Sequence, residues 1–293
     1  MQALSLRLAP CVRGIVPSER GLMKDLVVGA AANLSWNELE PWIVSLERSG
    51  YTGQKAIIAY NLAPGVMQQL TSRGFYIKHI VRQDRAIHVD RFFYLWELLY
   101  ELEARYVIAT DTRDLIFQTN PSAWLEEHLS PFRLNVGSEG LAYKDEEWGS
   151  KNILATFGPD VHHWIKDETI YNAGSFAGEA QLVRDFCLNI YLISCQNRVN
   201  NPDQAALNVL LHLLPWKEIT RYSPMADGWA CQAGTVADPS KMRTLRAFLK
   251  EPEPAFNVHG MVCPASSARP FCLVHQYDRN PDWNSEIRKK YHD

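Results

Sequence analysis

The chain has 293 residues, 46% hydrophobic and 22% charged, with a formal net charge of −3. That length suffices for one large or two small domains with a real core, and no biased tract argues for disorder. The slightly acidic balance, with Lys and Arg scattered, argues against a nucleic-acid partner held by phosphate neutralisation.

Residues 1–24 read as an irregular leader, where Arg7, Pro10 and Arg13 break any apolar run, so no signal peptide is expected. "DLVVGAAA" (25–32) predicts a short buried strand. "SWNELEPWIVSLERSG" (35–50) predicts a helix, with Ser35 as cap, Glu38 at the capping-box position and Gly50 as stop. A strand "KAIIAYNL" (55–62), a helix "APGVMQQLTSRG" (63–74) and a strand "FYIKHIV" (75–81) follow. "VDRFFYLWELLYELEA" (89–104) carries the strongest helical periodicity, and "YVIAT" (106–110) predicts a fourth strand, followed by the turn "DTRD". Strands alternating with helices predict βαβ crossovers and a mostly parallel sheet, whose strand ends are where ligands bind. Residues 25–120 therefore read as a nucleotide-binding half.

Residues 121–293 are less regular. "SAWLEEHL" (122–129) predicts a helix and "RLNVGSEG" (133–140) a strand; a polar, aromatic stretch with Trp148, His162, His163 and Trp164 comes next. "TIYNAGSFAG" (169–178) predicts a strand running into a small-residue loop. Helices are expected at 179–195 and 203–214, then a last strand and loop at 269–283 before a charged tail. With no repeat and no linker in view, 25–293 is expected to form a single α/β domain, its second half a smaller mixed acceptor-side region. No apolar run approaches the ~18–20 residues of a membrane span. Six cysteines without a Cys-x-x-Cys pair exclude a zinc ribbon and read as buried thiols of a soluble, cytoplasmic protein. The basic "RKKYHD" terminus reads as solvated, or as a peripheral membrane contact.

Four features stand in order: an aspartate turn after a strand, "NAGSFAG", "NPDQAALN" and "LVHQYD". Together they resemble the GT-A nucleotide-sugar glycosyltransferases, particularly the retaining, glycogenin-like ones, over residues 25–280. The resemblance implies a Rossmann-like sheet, a nucleotide-diphosphate-sugar donor and a glycan or glycolipid acceptor. It also implies Mn²⁺ or Mg²⁺ held by Asp111, Asp114 and His275. Hard oxygen ligands suit either ion, and one imidazole shifts the preference towards Mn²⁺. By the same resemblance, Arg91 reaches the donor's ribose or phosphates, Ala31, Ala32 and Asn33 lie near the nucleobase, and Ala173 and Gly174 lie by the donor sugar. Asn172, Asp203 and Gln204 then face the reacting centre.

The pattern departs from the family at one point. In Asp-X-Asp, alternation puts both carboxylates on one face of an extended segment. In "DTRD" the second aspartate comes one residue late, and Arg113 takes its place. Asp111 and Asp114 can share an ion only if the chain turns between them; otherwise Arg113 meets the diphosphate. Plainer readings stand beside these: a strand-capping ion network for the turn, a core histidine for His275, a tight connection for Asn172–Ser175, and helix capping by Asn201 or Asp203. A sugar nucleotidyltransferase lacks its basic glycine-rich loop here, and no GxGxxG supports a dehydrogenase. A catalytically inactive, sugar-binding or partner subunit stays open.

Overall fold

The computed structural model describes residues 23–81, 85–197, 199 and 201–292. The leader reading lies outside them up to residue 22, as does Cys11.

β1 (Leu26–Ala32), α1 (Trp36–Arg48), β2 (Gln54–Tyr60), α2 (Pro64–Ser72), β3 (Phe75–Ile80), α3 (Ile87–Glu101) and β4 (Tyr106–Thr110) alternate as the sequence predicts. The Glu38 carboxylate accepts the Ser35 N–H at 2.8 Å, which starts α1 where the capping pattern places it. α3 begins at Ile87, two residues early, so Arg91 sits in its second turn rather than at its start. β5 (Leu115–Phe117), α4 (Pro121–His128), β6 (Leu134–Ala142), α5 (Glu147–Phe157), α6 (Pro159–Ile165), β7 (Thr169–Glu179), α7 (Ala180–Ser194), α8 (Pro202–Leu211) and β8 (Thr220–Ser223) follow.

The main sheet has seven strands in the order β3-β2-β1-β4-β7-β6-β8. Four pairings are parallel, and those of β7 with β4 and β6 are antiparallel. α3, α7 and α8 cover one face through Phe92, Leu95, Phe186, Ile190 and Leu207. α1, α2 and α4 cover the other through Trp42, Ile43, Leu70 and Leu125. Burial on both faces explains why β1 and β4 read as continuous apolar runs.

β7 corrects one expectation. The "NAGSFAG" segment lies inside a strand, not in a loop, and pairs with β4 from Tyr106↔Glu179 to Thr110↔Ser175. Long-range pairing on both edges overrides its weak strand propensity.

A second sheet fixes the site. In it β12 (Leu273–His275) lies between β5, antiparallel, and β9 (Ala230–Gln232), parallel. His275 thus stands opposite both Leu115 and Gln232. β10 (Ala255–Phe256) and β11 (Val262–Cys263) form a separate ribbon.

The expected charged tail is also corrected. Residues Pro281–Tyr291 form a helix, capped by Asn280 and burying Trp283, Ile287 and Tyr291. Arg288 donates to Asn37 O at 3.2 Å and Lys290 to Gly260 O at 3.0 Å, so this basic segment is docked on the protein. No helix among the described residues is long and apolar enough to cross a membrane.

Candidate metal and donor site

β4 ends at Thr110 and β5 begins at Leu115, so the four residues between them turn the chain. That turn overcomes the late spacing of the second aspartate. Ligand atoms of Asp111, Asp114 and His275 all lie within 4.8 Å of one another. His275 Nε2 is 3.2 Å from Asp111 Oδ2 and 3.6 Å from Asp114 Oδ1.

Each member is held from behind. Arg91 donates to Asp111 Oδ1, leaving Oδ2 to face the imidazole. Gln232 donates its Nε2–H to Ser175 Oγ at 2.7 Å, which turns its Oε1 towards His275 Nδ1 at 2.8 Å. An Nδ1–H held this way leaves Nε2 for the carboxylates or for an ion, the orienting contact metal-bound histidines commonly have. Gln276, left-handed at φ 57°, donates its backbone N–H to Asp114 O at 2.6 Å and ties the two segments together.

The strand beneath must be bare at one point. A Cβ at Gly174 would lie 2.6 Å from His275 Cε1 and 2.7 Å from Asp111 Oδ2. Gly174 therefore serves close approach of β7 to the triad.

Charge follows from these contacts. Burial disfavours the charged form of Asp111, but the Arg91 guanidinium and His275 outweigh it and hold the carboxyl well below its usual value. Asp114 is raised, first by burial and then by Asp111 and Asp278. Burial works against a charged His275, yet Asp111 and Asp114 together raise it. Two carboxylates and one imidazole, converging and held in place, fit a divalent ion such as Mn²⁺ or Mg²⁺.

Two adjoining recesses meet at the triad. One, about 300 Å³, is lined by apolar Ala30, Ala32, Leu34 and Ile87 and by charged Arg113, Asp114 and Arg279. The second, about 360 Å³, is lined by Asn172, Ala173, Gly174, Asp203 and Gln204, with Glu139, Trp148 and Lys241 further along. His88, Arg91, Asp111, Gln276 and Arg279 line both.

The structure thus brings Arg91, Asp111, Arg113, Asp114, Asn172, Ala173, Gly174, Asp203, Gln204 and His275 around one double cleft. Ala31 is not among them: it is buried in the α1 layer, and its neighbours Ala30 and Ala32 face the recess instead. Asn33 is left-handed at φ 57° and accepts from Asn61 Nδ2 at 2.6 Å, outside the lining. Asn201 occupies the cap position of α8 but its side chain makes no cap bond, and Asp203 turns to Arg91 at 3.2 Å. Of the aromatic stretch, Trp148 alone lines the cleft; His162 bonds Ser150, and Trp164 lies against His212.

Sequence reasoning missed Glu139, which organises the floor. Its Oε1 accepts from Asn172 Nδ2 at 2.8 Å and Gln204 Nε2 at 3.2 Å, and its Oε2 accepts from Thr235 at 2.9 Å. Because the carboxylate only accepts, both amide nitrogens turn to it. Both amide oxygens then accept from β7, Asn172 from the Gly174 N–H and Gln204 from the Ala173 N–H. Asn172 and Gln204 therefore act first as braces of the strand at the cleft. Burial pushes Glu139 and Asp203 above the usual carboxylate range. Asp203 Oδ1 is buried and has no hydrogen-bond partner among the described residues. His88 was also missed, three residues before Arg91 on the same helix face, as was Arg279, four residues after His275.

No family model matches the chain, and no curated protein matches it. Solved structures do match. The apo structure of WbbM, a bifunctional glycosyltransferase, superposes with a TM-score of 0.56 at 10% identity. The match covers 90% of this chain and 50% of that one, so the chain spans half the length of that protein. The fold is GT-A-like: a large, mostly parallel Rossmann-like sheet flanked by helices.

Proposed function

We propose that the protein is a glycosyltransferase that moves a sugar from a nucleotide-diphosphate sugar to a glycan or glycolipid, as in polysaccharide biosynthesis. The convergence of Asp111, Asp114 and His275 where two recesses meet at the end of β4 carries this reading. Residues 25–120, with Arg279, take the nucleotide; residues 121–293 supply most of the acceptor side.

Bound there, Mn²⁺ or Mg²⁺ would act as a Lewis acid on the departing diphosphate. The chain's own groups do the rest. Ala30, Ala32, Leu34 and Ile87 give the nucleoside an apolar wall. Arg279, 3.8 Å from Asp114 and lining both recesses, joins Arg113 in facing the diphosphate. Fixed cations at that point favour the charge that grows as the bond breaks. Arg91 holds Asp111 and Asp203 in one geometry and is itself too committed to move. Glu139, through Asn172 and Gln204, keeps β7 at the distance that admits the donor sugar.

We assign retention of configuration, which the resemblance of the motif order to glycogenin-like enzymes favours; the donor's phosphate then takes the acceptor's proton, and Asp203 Oδ1 accepts from a sugar hydroxyl. In the competing inverting case Asp203 Oδ1 takes that proton itself. The anomeric coupling of the product, read by proton NMR, separates the two.

The test is hydrolysis and binding of a nucleotide-sugar panel, with Mn²⁺ and with EDTA, by the wild type and Asp114→Ala. One donor turned over with Mn²⁺ and lost in both controls supports the reading. Metal-independent turnover moves the diphosphate onto Arg113 and Arg279. A folded protein that binds no donor overturns the transferase and favours the inactive subunit.

A further inference from the structure

The far end of the larger recess is built from parts the donor does not need. Glu146 closes the start of α5: its Oε2 accepts the Gly149 N–H at 2.5 Å, and its side chain is 6% exposed. Its other oxygen, Oε1, lies 3.5 Å from Lys241 Nζ, brought in by the helix Pro239–Leu245. Trp148, the second residue of α5, lines the same cavity while 47% exposed, an unusual cost for the largest apolar side chain unless something covers it. Thr235 and Glu139 form the floor between this corner and the triad.

The charges of the recess say what fits. Among the described residues its lining lysine and arginines are paired: Arg91 with Asp111 and Asp203, Lys241 with Glu146, Arg279 with Asp114 and Asp278. Away from the donor side, Arg91 and Lys241 are thus committed to these pairs, while Asp111, Glu139, Glu146 and Asp203 all lie in the wall. The Glu146–Lys241 pair instead offers one acceptor and one donor side by side, which is what neighbouring hydroxyls of a sugar ring require. Trp148 offers a flat apolar face beside them, which suits the C–H face of a pyranose. At about 360 Å³ the recess lies at the low end of the roughly 300–1,000 Å³ usual for small-molecule sites, so it takes a sugar end rather than a long chain.

We infer that Trp148, Glu146 and Lys241 form the acceptor subsite, and that it binds an uncharged pyranoside. Trp148 stacks on the ring, and the Glu146–Lys241 pair grips two adjacent hydroxyls, setting a third towards the triad. That this saccharide is the acceptor rests on the transferase reading; that a saccharide binds here does not.

The two are separated by working without a donor. Saturation-transfer NMR is run on the full chain with a panel of methyl hexopyranosides and methyl hexuronosides. Trp148→Ala and Lys241→Ala are compared with wild type; both side chains are part-exposed, and Glu146 is left in place because it caps α5. The expected result is contact to at least one neutral pyranoside, weakened tenfold or more by Trp148→Ala and three- to tenfold by Lys241→Ala. Nucleoside diphosphate affinity should change less than twofold in either variant. The inference is overturned if no pyranoside contacts the wild type, if both variants bind as wild type does, or if the uronosides bind better than the neutral sugars. A wild type that contacts pyranosides through Trp148 but binds no nucleotide sugar sinks the transferase reading and leaves this subsite standing.

Discussion

Replacing Gly174 with alanine puts a methyl group in place of a hydrogen where β7 approaches the triad. The new Cβ would sit 2.6 Å from His275 Cε1 and 2.7 Å from Asp111 Oδ2, about 1 Å inside the ~3.5–4.0 Å optimum for the carbon contact. Neither neighbour can retreat. His275 is fully buried and held by Gln232, while Asp111 is held by Arg91 and by its own N–H to Gly174 O at 2.9 Å. Overpacking of this kind costs about 1–3 kcal/mol. A loss of about 2 kcal/mol lowers Tm by roughly 4–8 °C in a chain of this size. Because two of the three ligand groups must move, Mn²⁺ affinity should fall about tenfold or more, equivalent to about 1.4 kcal/mol. Tm comes from calorimetry, and Mn²⁺ affinity from the EPR signal of the free ion with a nucleoside diphosphate present. Gly65→Ala, in α2 with no heavy atom within 4 Å, is the control and should leave both unchanged or raise Tm slightly. A Gly174→Ala protein with wild-type Tm and wild-type Mn²⁺ affinity would refute the argument that β7 is packed against the triad.

Arg91→Met leaves Asp111 and the buried Asp203 facing each other without their shared cation, a loss of about 3 kcal/mol by the measure of broken buried pairs. Urea unfolding should show it, and adding Asp111→Asn should restore part of the loss; a double variant as unstable as the sum of the two denies the coupling. Glu139→Leu orphans two amide donors at about 1–3 kcal/mol each. Glu139→Gln should be far milder, since its amide can donate to a Thr235 hydroxyl turned to accept. The same pair tests pH. Burial raises the folded Glu139 carboxyl above the 4.5 of an exposed one, so its contribution is fully present below pH 4.5 and is lost as pH rises through the folded value. The stability of Glu139→Gln relative to wild type should therefore improve from pH 4.5 upward, and a pH-independent difference would show that Glu139 titrates normally. Arg279→Met should weaken nucleoside diphosphate binding about tenfold in calorimetric titration, with unaltered affinity placing Arg279 outside the donor path.

Much of the first half was legible because its strands are buried on both faces and its helices carry start and stop residues. Ser35 with Glu38, and Gly50, mark α1 in the sequence as they do in the fold. The errors have physical causes. Ala31 was assigned to the recess along with Ala32, and Ala30 was not, because alternation in a two-sided apolar strand gives no sign of which parity faces the ligand. The "NAGSFAG" segment looked like a loop because its strand character comes from β4 and β6, far away in sequence. Glu139 passed unnoticed in "RLNVGSEG" since one acid in a strand usually faces water; only the fold shows that Asn172, Gln204 and Thr235 converge on it. The C-terminal helix carried a readable signal that its charge obscured: Asn280 before Pro281, then Trp283, Ile287 and Tyr291 four residues apart. The triad itself lay between these cases. Asp111, Asp114 and His275 were legible as residues, but their meeting depends on a turn and on the β5-β12-β9 sheet, which no local pattern announces.

The central claim is that Asp111, Asp114 and His275 hold one divalent ion beside a nucleotide diphosphate. Pulsed EPR of Mn²⁺ bound to the full chain with a nucleoside diphosphate tests it most directly. The account predicts ¹⁴N coupling from one imidazole, absent in His275→Gln, with ³¹P coupling from the diphosphate in the wild type. Bound Mn²⁺ that shows no nitrogen coupling, or coupling that survives His275→Gln, would contradict it.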